Sequence, residues 1–234
     1  MGFKKARIRK VSAALMAVLT AAVSVPYTAA IQANALVTDP AGDYDNFAKA
    51  LQYSLCFYDG NMCGPEVEEH SLFKWRANCH TYDSEVPLKT MESFTSPDGE
   101  IGTNLSEAFI KENYDILNTG TKDGTIDVSG GYHDAGDHVK FGLPEAYSGT
   151  TVSWGYYEFR DAYIECEQQE HVETIIRHFC DYFMRCTFRD ENGEVKCFCY
   201  QVGDGDIDHA YWQLPQNDEM NRPAWFATPE NPTT

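Results

Sequence analysis

The sequence predicts an all-α fold whose helices are joined by long loops, and two observations carry that expectation. In Gln168 to Phe188, the residues Val172, Ile175, Ile176, Phe179, Phe183 and Cys186 recur three and four apart, while Glu170, Glu173, Arg177 and Asp181 take the other face. Two further stretches repeat the pattern, 44–58 through Phe47, Ala50, Leu51, Ser54, Leu55 and Tyr58, and 151–163 through Val152, Tyr156, Phe159 and Tyr163. The clear strand signal is Asn192-Gly193, a hairpin turn leading into 195–202. At 234 residues the chain is long enough for one sizeable core.

The chain opens with Lys4, Lys5, Arg7, Arg9 and Lys10, then a small apolar run from Val11 to Val25, then Ala33-Asn34-Ala35. A basic segment, an apolar segment and an A-x-A site describe a secretory signal peptide over 1–35. A membrane anchor is the competing reading, and the Ala-rich run broken by Pro26 speaks against it. The sequence holds 18 basic and 36 acidic residues, a formal charge of −18. Without 1–35, 13 basic residues face 36 acidic ones and the charge is −23. Such a chain cannot bind nucleic acid through counterion release. It suits a secreted, extracellular protein acting on a neutral polymer.

Along 44–58, Asp43 or Asp45 is placed to cap the helix. Residues 66–83 have no clean period and read as loop. Residues 84–125 carry two turn signals, Pro97-Asp98-Gly99 and Lys122-Asp123-Gly124, with a short helix between Ser106 and Leu117. After Pro215 the chain reads as loop, punctuated by Pro223, Pro229 and Pro232.

The stretch richest in chemistry is GYHDAGDHVKFGL, 131–143. Gly130, Gly131 and Gly136 permit sharp turns and close approach. Asp134 and Asp137, three apart, face the same way on a helical turn or in a tight loop. Two carboxylates looking into one small volume can hold a water molecule, one of them accepting its proton as the water attacks. They cannot also supply the acid, because acid and base flank a scissile glycosidic bond. As turn-formers or caps the same residues would be ordinary, and the residues alone do not decide.

The stretch GGYHDAGDHVKFGLP, 130–144, resembles the catalytic-base segment of family 9 glycoside hydrolases, inverting cellulases with an (α/α)6 barrel. Other stretches agree in order: KALQYSLCFYDGNMCG (49–64), WRANCHTYD (75–83), GYYEF (155–159), YQVGDGDIDHAYW (200–212) and RPAWFAT (222–228). The resemblance runs from Tyr44 to the end, with 84–125 standing apart as an insertion-like segment. It implies that 36–234 is the N-terminal portion of such a catalytic domain, the first part of the barrel with one short β-hairpin. The implied activity is that of a secreted endo-1,4-β-glucanase acting on cellulose or another β-1,4-glucan. Asp137 is implied as general base and Asp134 as its partner in holding the water, while His209 and Trp212 fall in a substrate-cleft segment. The family's general acid is a Glu near the end of the domain, and no segment here matches it. The expectation is therefore a fragment, inactive on cellulose alone, with room beyond Thr234 for a scaffold-docking or carbohydrate-binding module.

Eight cysteines in a secreted chain point first to disulfides. One subset differs: Cys63, Cys79, His80 and His133 offer two thiolates and two imidazoles, a donor set for a closed tetrahedral zinc site. The resemblance implies a structural zinc there; a Cys63–Cys79 disulfide beside two ordinary histidines is the alternative. No organic cofactor is implied. Cys180 and Cys186 are expected to pack in the core, and Trp75, Trp154 and Trp225 to be structural. Asp204, Asp206 and Asp208 alternate as in a calcium loop, but His209 and Pro215 occupy the places that need Gly and Glu, which excludes it. Two other functions remain: a metal-dependent hydrolase using His133, Asp137 and His138, though without a second His motif, and a non-catalytic glucan-binding protein.

Overall fold

The computed structural model describes residues 46–92, 101–210 and 212–232. The segment 1–35 read as a signal peptide, the candidate caps Asp43 and Asp45, the Pro97-Asp98-Gly99 turn and Tyr211 lie outside these residues. The chain divides into Met1–Phe47 and Ala48–Thr234, and the second unit holds nearly everything described. Among the described residues no helix is long and apolar enough to cross a membrane.

Helix α1 (Phe47–Asn61) ends beyond the predicted stretch, with Leu55 and Asp59 buried and Phe47 exposed. Asp59 accounts for the extra turn: its carboxylate accepts from Leu72 N at 2.7 Å and meets His171 Nε2 at 2.7 Å. The segment 66–83 is not all loop. It holds α2 (Val67–His70) and the start of a 3-10 turn, Thr81–Glu85, pieces too short to show a period.

The described residues of segment 84–125 contribute to the core through Val86, Leu105, Ile110 and Leu117. Strand β1 (Val86–Pro87) pairs antiparallel with β2 (Thr125–Ile126) and closes its two ends. Between them the predicted helix is split at Asn113 into α3 (Glu107–Glu112) and α4 (Tyr114–Leu117), with Ser106 Oγ capping α3 by accepting from Phe109 N at 3.2 Å. Leu105, Ile110 and Leu117 pack in one cluster with Phe188, Cys197 and Phe226.

Strand β3 (Lys140–Phe141) runs straight into α5 (Gly142–Glu158), which is followed by α6 (Arg160–Glu165). The helix predicted from Thr151 thus starts at Gly142. Pro144 lies in its first turn, where a missing N–H costs nothing, and Gly142 must pass close to the backbone: a Cβ there would lie 2.8 Å from Tyr200 O. Val152, Tyr156 and Tyr163 pack inward as predicted, while Phe159 sits exposed between the two helices. Trp154 is also exposed, on α5 beside Tyr157, and Trp75 is exposed and stacked on Phe73, so neither is a core residue.

Helix α7 (Gln169–Arg185) keeps its predicted face, burying Val172, Ile175 and Phe179 along with His171, His178 and Tyr182, but stops three residues short of the predicted Phe188, which lies in the following strand. Cys186 is buried, whereas Cys180 is exposed, contrary to expectation. The predicted hairpin follows as β4 (Thr187–Arg189) and β5 (Val195–Val202), with Gly193 turning at φ +82°. Beyond it come α8 (Gly205–Asp208), a 3-10 turn at Pro215–Asn217, and β6 (Ala224–Ala227) inside the proline-rich tail. All sheet partners of β5 are antiparallel: Lys140 of β3 faces Val202, Thr187 of β4 faces Phe198, and Ala224 of β6 faces Val202. The strand therefore fixes the end of the 131–143 stretch against the tail.

Candidate active site

The stretch that carries the two aspartates is a loop of successive bends between a double-glycine turn and β3, not a helical turn. Gly130 and Gly131 adopt φ +90° and +77°, and a Cβ on Gly131 would come 2.7 Å from both Glu145 Oε1 and Tyr182 Cδ1. Only glycine fits there. Backbone bonds then pin the loop: Cys63 N to Gly131 O at 2.9 Å, His133 N to Asn61 O at 2.8 Å, and Asp134 N to Val139 O at 2.9 Å.

Asp137 is buried at 8% exposure, and both its oxygens are engaged. Oδ1 accepts from Ala135 N at 3.0 Å and Oδ2 meets His209 Nε2 at 3.0 Å. Asp134 is exposed, and its pKa is raised by partial burial and by the Asp137 charge. The hydrogen bond to Asp137 raises the His209 pKa against a smaller effect of burial. Trp212 is 68% exposed and lies over Gly136, where a Cβ would come 2.8 Å from Trp212 Cζ3. Thus Asp137 and His209 are in direct contact, Asp134 lies near enough for its charge to act on both, and Trp212 lies against the same loop. His209 contacts Asp137 directly, which its place in a substrate segment did not predict.

Four buried groups behind the loop were not foreseen. Asp208, weighed only as a calcium ligand, accepts from His138 N with both oxygens, at 3.0 and 3.2 Å. Asp218 Oδ2 receives His138 Nδ1 at 2.7 Å and His80 Nε2 at 3.1 Å; burial opposes its charge, but these bonds hold its pKa well below the usual carboxylate range. Arg222 donates to His138 O at 2.8 Å and to Asp83 Oδ1 at 2.8 Å. Fully buried Lys140 reaches Asp83 Oδ2 at 2.9 Å, Val128 O at 2.6 Å and Gly130 O at 3.1 Å, 4.7 Å above the Tyr182 ring. Arg222 lay within the quoted RPAWFAT stretch, which was the signal that could have found it.

Cys63, Cys79, His80 and His133 form one buried group, with one ligand atom from each lying within 4.8 Å of the rest. His80 Nδ1 stands 3.1 Å from His133 Nε2 and 3.6 Å from Cys63 Sγ. Ligands of a tetrahedral zinc stand roughly 3.3 Å apart for two nitrogens and roughly 3.5 Å for nitrogen and sulfur. Both cysteines are free thiols. Hydrogen bonding to Cys63 lowers the Cys79 pKa to about 7, with Arg76 Nη2 adding its charge 3.4 Å from the sulfur. The other nitrogen of His80 is held by Asp218, the outer-shell carboxylate that orients a metal-bound imidazole. The residues fit the ion. His133, Asp137 and His138 do not form a group of their own: His133 belongs with the thiols, His138 with His80 and Asp218, and Asp137 with Asp208 and His209.

The family model for Glycosyl hydrolase family 9 matches residues 47–234. The chain belongs to that family. It is 42% identical over 180 residues to Endoglucanase A of Bacillus pumilus, covering 77% of this chain and 21% of that protein. It is 30% identical over 205 residues to Endoglucanase 14 of Oryza sativa subsp. japonica, covering 86% of this chain and 36% of the other. Among solved structures, the catalytic domain of Clostridium thermocellum CelT is 56% identical with TM-score 0.72, covering 80% of this chain and 36% of that one. The cellulase Cel9M of C. cellulolyticum, 31% identical with TM-score 0.53, covers 76% of this chain and 32% of that one. The chain thus spans about a fifth to about a third of the length of these relatives. The family 9 chain is a glycoside hydrolase sequence, and its helices belong to the (α/α)6 barrel.

Proposed function

We propose that this family 9 chain supplies the water-activating side of a secreted endo-1,4-β-glucanase that cleaves cellulose with inversion. The observation that carries the proposal is Asp137, a buried carboxylate aligned by Ala135 N and His209, with the exposed Asp134 three residues away. Asp137 takes the proton of a water that Asp134 helps to hold. The attack then comes from one face of the sugar, while a proton donor across the glycosidic oxygen serves the leaving group. Trp212 offers an exposed ring face on which a pyranose can stack, and His209 steadies Asp137 and can hydrogen-bond a sugar hydroxyl. That structures of relatives hold cellobiose in Cel9M and cellotetraose in Clostridium thermocellum CelQ supports a glucan substrate.

A zinc held by Cys63, Cys79, His80 and His133 fits the site and would be structural, since four protein ligands leave no open position. Its ligands come from the segment after α1 and from the base loop, so these residues would fix where Asp134 and Asp137 point.

The decisive test is hydrolysis of a β-1,4-glucan by the enzyme bearing this sequence, with the anomer of the fresh product read by NMR. The α-anomer is expected, and Asp137→Asn should lower turnover by about 10²–10⁴. An aryl cellobioside with an activated leaving group needs no proton donor and should show the same dependence. Near-wild-type turnover in Asp137→Asn, or a β-configured first product, refutes the assignment. For zinc, elemental analysis should find one ion lost in Cys79→Ser; a Cys63–Cys79 disulfide in the purified protein refutes it.

A further inference from the structure

A second group of ligand-type side chains shares no residue with the active site or with the thiol group. We propose that Glu66, His70 and His178 form a further divalent transition-metal site, with zinc as its natural class of ion. One ligand atom from each residue lies within 4.8 Å of the other two. Glu66 and His70 sit one helical turn apart, His70 N donating to Glu66 O at 3.0 Å, so their side chains share a face. His178 comes to them from α7, its ring perpendicular to that of His70 with centroids 6.0 Å apart.

The protonation pattern of His178 is set by its neighbours. Its Nε2 lies 2.9 Å from Cys63 O and 3.0 Å from Gly131 O, and carbonyls only accept. Nε2 therefore carries the proton, and Nδ1 is left with its lone pair facing Glu66 Oε2 at 3.9 Å. A ring nitrogen held by backbone carbonyls while the other is free is the arrangement found behind metal-bound histidines. His70 gives the second, independent sign: its Nδ1 is buried and has no hydrogen-bond partner. A buried nitrogen without a partner is costly in a folded protein and calls for a ligand.

Two imidazoles and one carboxylate suit zinc or a similar nitrogen-favouring ion, whereas calcium and magnesium prefer all-oxygen sites. Two ligands of such an ion stand roughly 3.3 Å apart, so the His178–Glu66 gap needs to close only slightly. The side chain of Glu66 is 45% exposed, which leaves a route in and a coordination position for water. A bound ion would clamp α2 to α7, and through His178 it would brace the carbonyls of Cys63 and Gly131.

The test is cobalt(II) titration of the metal-stripped full chain, read by absorption and by calorimetry. Two equivalents are expected, only one of them bringing the thiolate-to-cobalt charge-transfer band. His70→Ala should bind one equivalent and keep that band, and Glu66→Gln should weaken the band-free equivalent by about tenfold or more. One equivalent in the wild type that carries the band, or an unchanged second equivalent in both variants, overturns the proposal. Loss of the charge-transfer band with the His70-dependent equivalent intact would sink the thiolate site and leave this one standing.

Discussion

Lys140→Met removes the ammonium from a fully enclosed charge cluster. Lys140, Asp83 and Arg222 are all buried, and Lys140 Nζ also donates to Val128 O and Gly130 O. Taking one partner out of a buried ion pair costs about 3–5 kcal/mol. Here Asp83 keeps Arg222, which reduces the loss, but two buried carbonyls are left without their donor, at about 1–3 kcal/mol each. The net expectation is about 3–4 kcal/mol, or a urea midpoint lower by roughly 1.5–2 M. Its pH dependence has a definite sign. Burial raises the Asp83 pKa, but Arg222 and Lys140 outweigh it and hold it below the usual value. The contribution is therefore complete above the unfolded carboxylate pKa of about 4 and is lost as pH falls through the lower folded value. For Lys140, the Asp83 charge outweighs burial and raises the pKa, so its share holds below about pH 10 and fades as pH rises past the folded value. Urea unfolding followed by circular dichroism at neutral pH, in acid and above about pH 10 reads both effects. A loss below about 1 kcal/mol, or a wild-type-to-variant difference that grows on acidification, refutes the reasoning.

Gly136→Ala places a methyl against the Trp212 ring at a glycine without positive φ. Because Trp212 is exposed and can swing away, stability should change by no more than about 0.5 kcal/mol, while glucan affinity drops and tryptophan emission shifts; unchanged affinity would count against Trp212 as a sugar platform. The His209 imidazole should titrate above its ordinary value in the wild type and fall back in Asp137→Asn, since the Asp137 hydrogen bond is the main cause of the rise. NMR of the ring protons checks this, and an identical midpoint in both proteins would contradict the Asp137–His209 bond.

Regular periodicity was readable, and α7 shows why: nothing interrupts its apolar face from Val172 to Phe179. Helix α5 was half hidden because Gly142, Pro144 and Gly149 blur its beginning, although each is placed for packing or for the first turn. Strand β6 was invisible for another reason: four residues between prolines form a strand only because β5 offers them a partner. In the site, Asp134 and Asp137 stood out through their glycines. Asp208 and Asp218 did not, because an aspartate that hydrogen-bonds a distant backbone or imidazole looks like any other until the chain is folded. Tertiary partnership leaves no local pattern.

His138 is gripped from three sides by groups that come far later in the chain: Asp208 on its amide, Asp218 on its ring and Arg222 on its carbonyl. During synthesis, then, the aspartate pair leaves the ribosome long before its mould exists. Helix α7 and the β4–β5 hairpin can form from neighbouring sequence, but the 131–143 loop gains these three contacts only after Arg222 has emerged.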